Sequence, residues 1–410
     1  MATDQLLASA STVDITPNDP CWMAGYAGNR RSCGVRHRLT ARCLALRQAG
    51  VTVVLVVADV IGLPWYFGQR LRRLVHDVVA PGSLVLCATH THSGPDTIGL
   101  WGATPEVSGV SPAWMRTILL DMERLVRDTV QTLQPARAVA SCGNAPDVSV
   151  NIRDAGELDR VIAVCALQTH GGEPIASVVN FGCHPEILNN RLLTPDFPHN
   201  LRQAVESRIG GVCLFVNGAL GGMVTAAYDE SASPPGENWA AAAAIGGRLG
   251  RAAVQLITVA PSVGPGQLAT ADVRTRVPVE NRRFDLLRRS GVLRGSRRAA
   301  GYVTSSVAAF RLGSAVFITM PGEPVPAIGK RLRLALNDFT PFLMSLGNDE
   351  LGYILTPAQF QNPLYQYEQS MSMGTQTADR IERAVRSALR KVGVRVSCLG
   401  EPGGNWTDGC

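Results

Sequence analysis

An α/β (α+β) fold is predicted, with helices covering β-sheets, and three observations predict it. Apolar runs of strand length alternate with helical segments almost throughout the 410 residues. Several of these runs stop abruptly at a polar residue, followed by Pro or Gly and then by helix-like sequence. Apolar residues make up 46% of the chain and charged residues 18%, which is ample for a core and excludes a disordered class.

Taken in order, the apolar run 51–58 ends in Asp59, and 83–89 leads into His90-Thr91-His92-Ser93-Gly94-Pro95. Ser111-Pro112, a capping residue followed by proline, starts a helix that runs to about 133. The run 174–183 leads into His184-Pro185, and 211–216 into Asn217-Gly-Ala-Leu-Gly-Gly222. An alanine-rich helix is expected over 238–257. The run 314–320 leads into Pro321-Gly322-Glu323-Pro324, and a helix carrying Lys330, Arg331 and Arg333 follows. A last amphipathic helix covers 377–392. No repeat or low-complexity linker divides the chain, so residues 1–400 read as one catalytic domain and 401–410 as a tail.

Charge and cysteine usage narrow the function classes. The 39 basic and 33 acidic residues leave +6, and 37 of the basic residues are Arg spread over the whole chain. A nucleic-acid footprint would cluster on one element, so no nucleic-acid partner is expected. Nine Arg fall within 274–298 and read as a solvated helix or loop face. No stretch reaches the roughly 18 apolar residues of a membrane span, and residues 1–20 lack a secretory pattern. Ten cysteines without a C-x-x-C pair, several inside apolar runs, suggest a reducing compartment, and cytoplasm is the expected location.

The chemistry is expected where the strands end, because loops and helix N-termini converge there in α/β sheets. The turns named above offer Asp59, His90 with His92, His184 and Glu323 to a common crevice. Two neutral imidazoles and a carboxylate with an open position are a usual catalytic Zn²⁺ set, because imidazole is borderline-soft and the open position holds water. Bound Zn²⁺ lowers that water's pKa to about 7. His37, His76 and His170 read as ordinary surface or packing residues, and His199 as a further candidate for the crevice. Trp65-Tyr66-Phe67 and Leu100-Trp101, near these turns, are candidates for lining an acyl pocket.

With these residues in place, the sequence resembles the neutral, non-lysosomal ceramidase family in its zinc-bearing catalytic region. The pieces run in order through Val13-Asp14-Ile15-Thr16-Pro17, Gly25-Tyr26-Ala27, Leu39-Thr-Ala-Arg42 and Asp59. Thr89-His90-Thr91-His92-Ser93-Gly94-Pro95 is the sharpest. Asn151-x-Arg153, Val179 to Pro185, Asp196-Phe-Pro, Asn217 to Gly222, Pro321-Gly322-Glu323, Gly352-Tyr353-Ile354-Leu-Thr356 and Tyr367-Glu368 follow. The resemblance implies stacked mixed β-sheets flanked by helices and a zinc held by His90, His184, Glu323 and Tyr353. The ligand role of Tyr353 rests on the resemblance alone. It further implies that His92 and Arg153 stabilise the oxyanion, that Tyr353 or His92 passes a proton to the leaving amine, and that Asn217, Gly218 and Trp101 bound the substrate. Asp59 and Asp196 would support the site.

Two departures shape the expected activity. The lipid-active members carry a secretory signal and a C-terminal immunoglobulin-like domain, of which this sequence shows neither, and Gly218 stands where their turn has a serine. The expectation is therefore a zinc-dependent amidohydrolase, attacking a C–N amide (N-acyl) bond of a small or modestly amphiphilic molecule by zinc-bound hydroxide. The same zinc site could instead run acyl transfer, condensation or ester cleavage in a biosynthetic pathway. A non-catalytic binding protein is the remaining alternative. A small-molecule amide or acyl substrate is the partner implied, and a homo-oligomer is compatible with the sequence.

Overall fold

The computed structural model describes residues 5–234, 236–291, 293 and 301–396. The tail over 401–410 and part of the Arg-rich stretch lie outside the described residues. Eight strands form one sheet: Leu7–Asp14 (β1), Thr40–Gln48 (β2), Val51–Ala58 (β3), Leu84–Ala88 (β4), Gln134–Asn144 (β5), Val161–Thr169 (β6), Pro174–Phe181 (β7) and Val212–Asn217 (β8). Their spatial order is β8-β7-β6-β5-β1-β2-β3-β4. A second sheet orders Ala269–Pro278 (β9), Tyr302–Leu312 (β10), Ala315–Met320 (β11) and Thr340–Ser345 (β12) in sequence. Antiparallel pairing prevails, but each sheet keeps parallel pairs at its edges: β3 with β4, β7 with β8, and β11 with β12.

The strand sequences explain the stacking. In Val51–Ala58 every residue from Val53 onward is buried, which a strand needs when both its faces are covered. Val54 and Val56 face one core while Leu55 and Val57 face another, the period-2 alternation of a pleated strand. The second core lies between the sheets, where Leu55, Val178 and Leu214 meet Phe310, Phe317 and Phe342 of the smaller sheet. Those three phenylalanines stack in series at 4.2 Å between ring centroids.

Helices close the outer faces. Trp65–Leu74 (α1) and Pro112–Gln131 (α2) cover β2 to β4, and Phe197–Ile209 (α3) and Trp239–Val259 (α4) cover β6 to β8. Arg282–Arg289 (α5) follows β9, and Pro326–Ala335 (α6) and Thr377–Lys391 (α7) cover the smaller sheet. The Ser111 side chain accepts from the Trp114 amide and Pro112 takes the first helical position, so α2 starts where its capping signal stands. In the Arg-rich stretch Arg282 and Arg283 lie exposed on α5, as expected of a solvated helix, while Arg274 and Arg276 are exposed positions of the strand β9 rather than of a helix or loop. None of the described helices is long and apolar enough to cross a membrane.

The large sheet curls until β8 returns against β2. Arg42 on β2 donates to the Cys213 carbonyl on β8 at 2.9 Å and pairs with Glu206 of α3. Asp59, the residue after β3, is fully buried and receives Arg202 of α3 in a two-pronged ion pair of 2.8 and 3.0 Å. Its oxygens also accept from the Thr40 amide and hydroxyl at 2.8 Å. Burial alone would raise the Asp59 carboxyl; Arg202 and these hydrogen bonds hold it below its ordinary value.

A group held low in the folded state stabilises the protein above its unfolded pKa and stops doing so as pH falls through the folded one. Asp59→Asn strands Arg202 in the interior, so it is expected to lose about 3–5 kcal/mol at pH 7. Urea unfolding of both proteins should show the gap shrinking once the pH drops below about 4, the unfolded aspartate value. A gap independent of pH would show that the pair carries no such linkage.

Candidate metal centre

Three parallel strand pairs deliver their carboxyl ends to one place. His90 follows β4, His184 follows β7, and Glu323 follows β11. His90 is not on a strand; it occupies a turn with φ of 69°. The His90 and His92 rings lie 5.0 Å apart in this turn, after the strand as the sequence reading expects. His184 lies 5.1 Å from the His90 ring and 5.6 Å from the His92 ring. All three imidazoles are buried.

Backbone carbonyls fix the two principal rings. His90 Nδ1 lies 2.6 Å from the Ile61 carbonyl and His184 Nδ1 lies 2.9 Å from that of Val224. Each ring therefore donates from Nδ1 and turns Nε2 inward, the orientation that metal-ligating histidines use. Both Nε2 atoms meet Glu323 Oε2, at 3.6 Å for His90 and 3.0 Å for His184. The ligand atoms of His90, His92 and His184 fall within 4.8 Å of one another, as do those of His90, Glu323 and Glu350. Borderline-soft imidazoles with a carboxylate suit a divalent transition metal, so this buried cluster can bind a metal ion.

Tyr353 reaches the cluster through the backbone. The two-residue strand Glu323–Pro324 pairs in parallel with Tyr353–Ile354, which sets Glu323 directly beside Tyr353. The Tyr353 hydroxyl donates to Met223 Sδ at 3.4 Å. His92 is held from below, where Arg30 donates to its carbonyl at 2.7 Å. Gly25, with φ of 100°, packs so closely on His92 that a Cβ there would lie 2.4 Å from the ring. His92 Nδ1 sits 3.4 Å from Glu186 Oε2 and is buried without a well-formed hydrogen bond, a polar atom with spare capacity.

The electrostatics follow from one carboxylate shared among three buried rings. Burial, reinforced by His184, pushes His90 down to about 4. Burial with His90, His184 and Arg30 nearby holds His92 well below its ordinary value. Burial also opposes charge on His184, but the hydrogen bond to Glu323 and the Glu186 charge outweigh it and raise that ring to about 9. Glu323, which burial alone would raise, is lowered by His90, His184 and the Tyr353 hydroxyl. Burial and the Glu323 charge push the Glu350 carboxyl well above the usual carboxylate range.

The remaining expected residues occupy other places. Arg153 stands at the rim, 30% exposed, with Nε donating 2.8 Å to the buried Glu368 and its guanidinium 5.6 Å from the Tyr367 ring. Tyr367 in turn lies 6.0 Å from the Tyr353 ring. Asn217 is fully buried, accepts from the Cys183 amide and donates to the Thr89 and Cys183 carbonyls, so its amide ties together the turns that carry His90 and His184. Gly218 donates to the Phe181 carbonyl and accepts from the Ser345 hydroxyl. Asp196, at the start of α3, accepts from the Leu188 and Phe197 amides; burial brings its carboxyl to about 7. Trp101 has its amide held by Asp96 at 3.0 Å. His199 stacks on His37 at 3.9 Å, part of a separate histidine pair.

The aromatic segment after β3 divides in two. Trp65 and Tyr66 line an apolar cavity of about 90 Å³, open to solvent, together with Ile98, Phe284, Val303 and Leu351. Phe67 instead packs into the core under α1. Glu350 also lines this cavity, so the cavity adjoins the histidine cluster. Sequence reading passed over Glu350 although its signal has the same form as the others: the apolar run of β12 ends in Gly347-Asn348-Asp349-Glu350. Five of the six non-glycine residues with positive φ among those described are His90, Asp196, Met223, Leu346 and Asn348, which places the backbone strain around the site.

No family model and no curated protein sequence matches the chain. Among solved structures it is similar to the neutral ceramidase from Pseudomonas aeruginosa, at a TM-score of 0.76 and 18% identity over 98% of this chain and 76% of that one. A ceramidase complexed with C2 gives a TM-score of 0.77 and 17% identity, over 98% and 77% of the two chains. The fold is that of the neutral ceramidases.

Removing either fixed ring should empty the centre. His90→Ala and His184→Ala, purified with zinc and analysed by mass spectrometry of the metal, are expected to retain no stoichiometric ion. His76→Ala, altering an exposed ring bonded to the carbonyl of Arg73, should retain the wild-type content. Equal metal in all three would refute the assignment.

Proposed function

We propose that the protein is a zinc-dependent amidohydrolase that cleaves the C–N bond of an N-acyl amine of small or modestly amphiphilic character. The observation that carries this reading is the convergence of His90 Nε2 and His184 Nε2 on Glu323, beside His92 and Tyr353, at strand ends of a fold shared with neutral ceramidases. His90, His184 and Glu323 would hold the ion, with Tyr353 as the fourth ligand. Bound there, zinc supplies Lewis acidity toward a carbonyl oxygen and an activated water near neutral pH.

The chain's own groups supply the rest. His92, packed against Gly25 and anchored through its carbonyl, presents its ring to the same space as the two fixed rings and can donate to an oxygen that gains charge. Arg153 would add a positive charge from the rim, held in place by Glu368 at its Nε. Donors placed in advance at a developing oxyanion are worth about 3–4 kcal/mol each. The apolar cavity behind Trp65 and Tyr66 would take the acyl chain, and burying each methylene there contributes about 0.8 kcal/mol. The turn Asn217 to Gly222 carries no hydroxyl, thiol or carboxylate, which leaves water as the nucleophile.

Two measurements test the reading. Zinc-loaded protein incubated with N-acyl amines of increasing chain length should release free amine and carboxylic acid, and faster for chains that reach into the cavity than for acetyl. Arg153→Ala should cut kcat by about 10²-fold without loss of zinc. Transfer of the acyl group to an added amine in preference to water would favour a transferase instead, and a rate indifferent to chain length would remove the cavity from the account.

A further inference from the structure

We infer that Arg30 is the positioning residue for His92, a guanidinium that fixes the backbone from which this imidazole reaches the cluster. The inference rests on the amidohydrolase reading and names a residue that acts in it through another. A donor to a developing oxyanion works only when it is held where the charge appears, and a misplacement of about 1 Å costs about 10²-fold in rate. His92 stands in a turn with no strand or helix to stiffen it, so its place depends on contacts from other segments.

Arg30 supplies three such contacts with one side chain. Its Nη2 donates to the His92 carbonyl at 2.7 Å and to the Ala24 carbonyl at 2.8 Å, and its Nη1 donates to the Asn190 carbonyl at 2.7 Å. The three carbonyls belong to Arg30's own loop, the His92 turn and the segment after His184. No carboxylate among the described residues pairs with this half-buried cation. A charge taken out of water is costly unless it is hydrogen-bonded, and here backbone carbonyls alone meet that need. A planar fork of donors holds several carbonyls at set distances, which the single flexible ammonium of a lysine does not.

The rest of that loop closes on the same imidazole. Gly25 lies so near the His92 ring that any Cβ would overlap it. The Tyr26 ring meets the His92 ring edge-on at 5.2 Å, and the Arg30 guanidinium lies 4.5 Å from the centre of the Tyr26 ring. The Tyr26 hydroxyl donates to the Glu186 carbonyl. The Ala24 amide donates to the Gly94 carbonyl and the His92 amide to the Pro185 carbonyl, each at 3.0 Å. Residues 24–30 therefore join the turn of His92 to the segment that begins at His184, and the Arg30 side chain is hydrogen-bonded to both. It holds His92 by its backbone, so the imidazole stays free to meet a substrate oxygen.

Arg30→Met keeps an unbranched stem and removes the fork. Assayed as zinc-loaded protein on N-octanoyl propylamine, it is expected to lose about 10²-fold in kcat, with zinc content and KM unchanged. Arg30→Lys, which keeps the charge but cannot span three carbonyls, should recover part of the rate. In a His92→Ala background the Arg30→Met change should alter kcat by less than about threefold, because no donor is left to aim. Wild-type kcat in Arg30→Met, a rise in KM alone, an equal loss in the His92→Ala background, or loss of zinc would each overturn the role. If Arg30→Met does not fold, Arg30→Lys carries the same cycle, and an equal loss in the two backgrounds again overturns it. No turnover by zinc-loaded wild type would instead overturn the hydrolase reading on which the role stands.

Discussion

The carboxylate of Glu323 is the constraint on which the site depends. Three imidazoles packed within about 6 Å of one another in a buried site would repel any proton they took up, and a negative charge among them offsets that repulsion. That charge is itself buried and is costly without partners. His184 at 3.0 Å, His90 at 3.6 Å and the Tyr353 hydroxyl supply them. Each ring is pinned at its far nitrogen by a carbonyl, so the inward nitrogens are aimed before any ligand arrives.

The architecture exists to make that meeting possible. Parallel strand pairs put two loops side by side at the same end, and this chain uses three such pairs within otherwise antiparallel sheets. Curling of the large sheet brings β8 against β2, and stacking of the smaller sheet brings β11 and β12 over it. Asp59 with Arg202 locks the curl from inside, and Asn217 binds the His90 and His184 turns to each other. Both are polar groups buried to hold loops at a fixed separation, the support that a preorganised site requires.

Much of this was legible in the sequence because it is written locally. Strand ends are marked by the switch from β-branched runs to Pro, Gly and a polar residue, which located His90, His184 and Glu323. Helix starts are marked by capping chemistry, which located α2. Asp59 read as a candidate for the crevice, yet it turned inward to Arg202, a partner 143 residues away that no spacing announces. Tyr353 owes its position to a two-residue parallel bridge with Glu323, too short to leave a pattern. Glu350 carried the right signal and was passed over, because an acidic residue in a polar turn ordinarily faces water. Burial here depends on Gly62, from a loop far away in sequence.

Crystals grown with zinc and measured on both sides of its absorption edge would test the centre most directly. The account predicts one anomalous peak about 2.0–2.2 Å from His90 Nε2, His184 Nε2 and a Glu323 oxygen. A peak bound elsewhere, or none at full zinc loading, would contradict it.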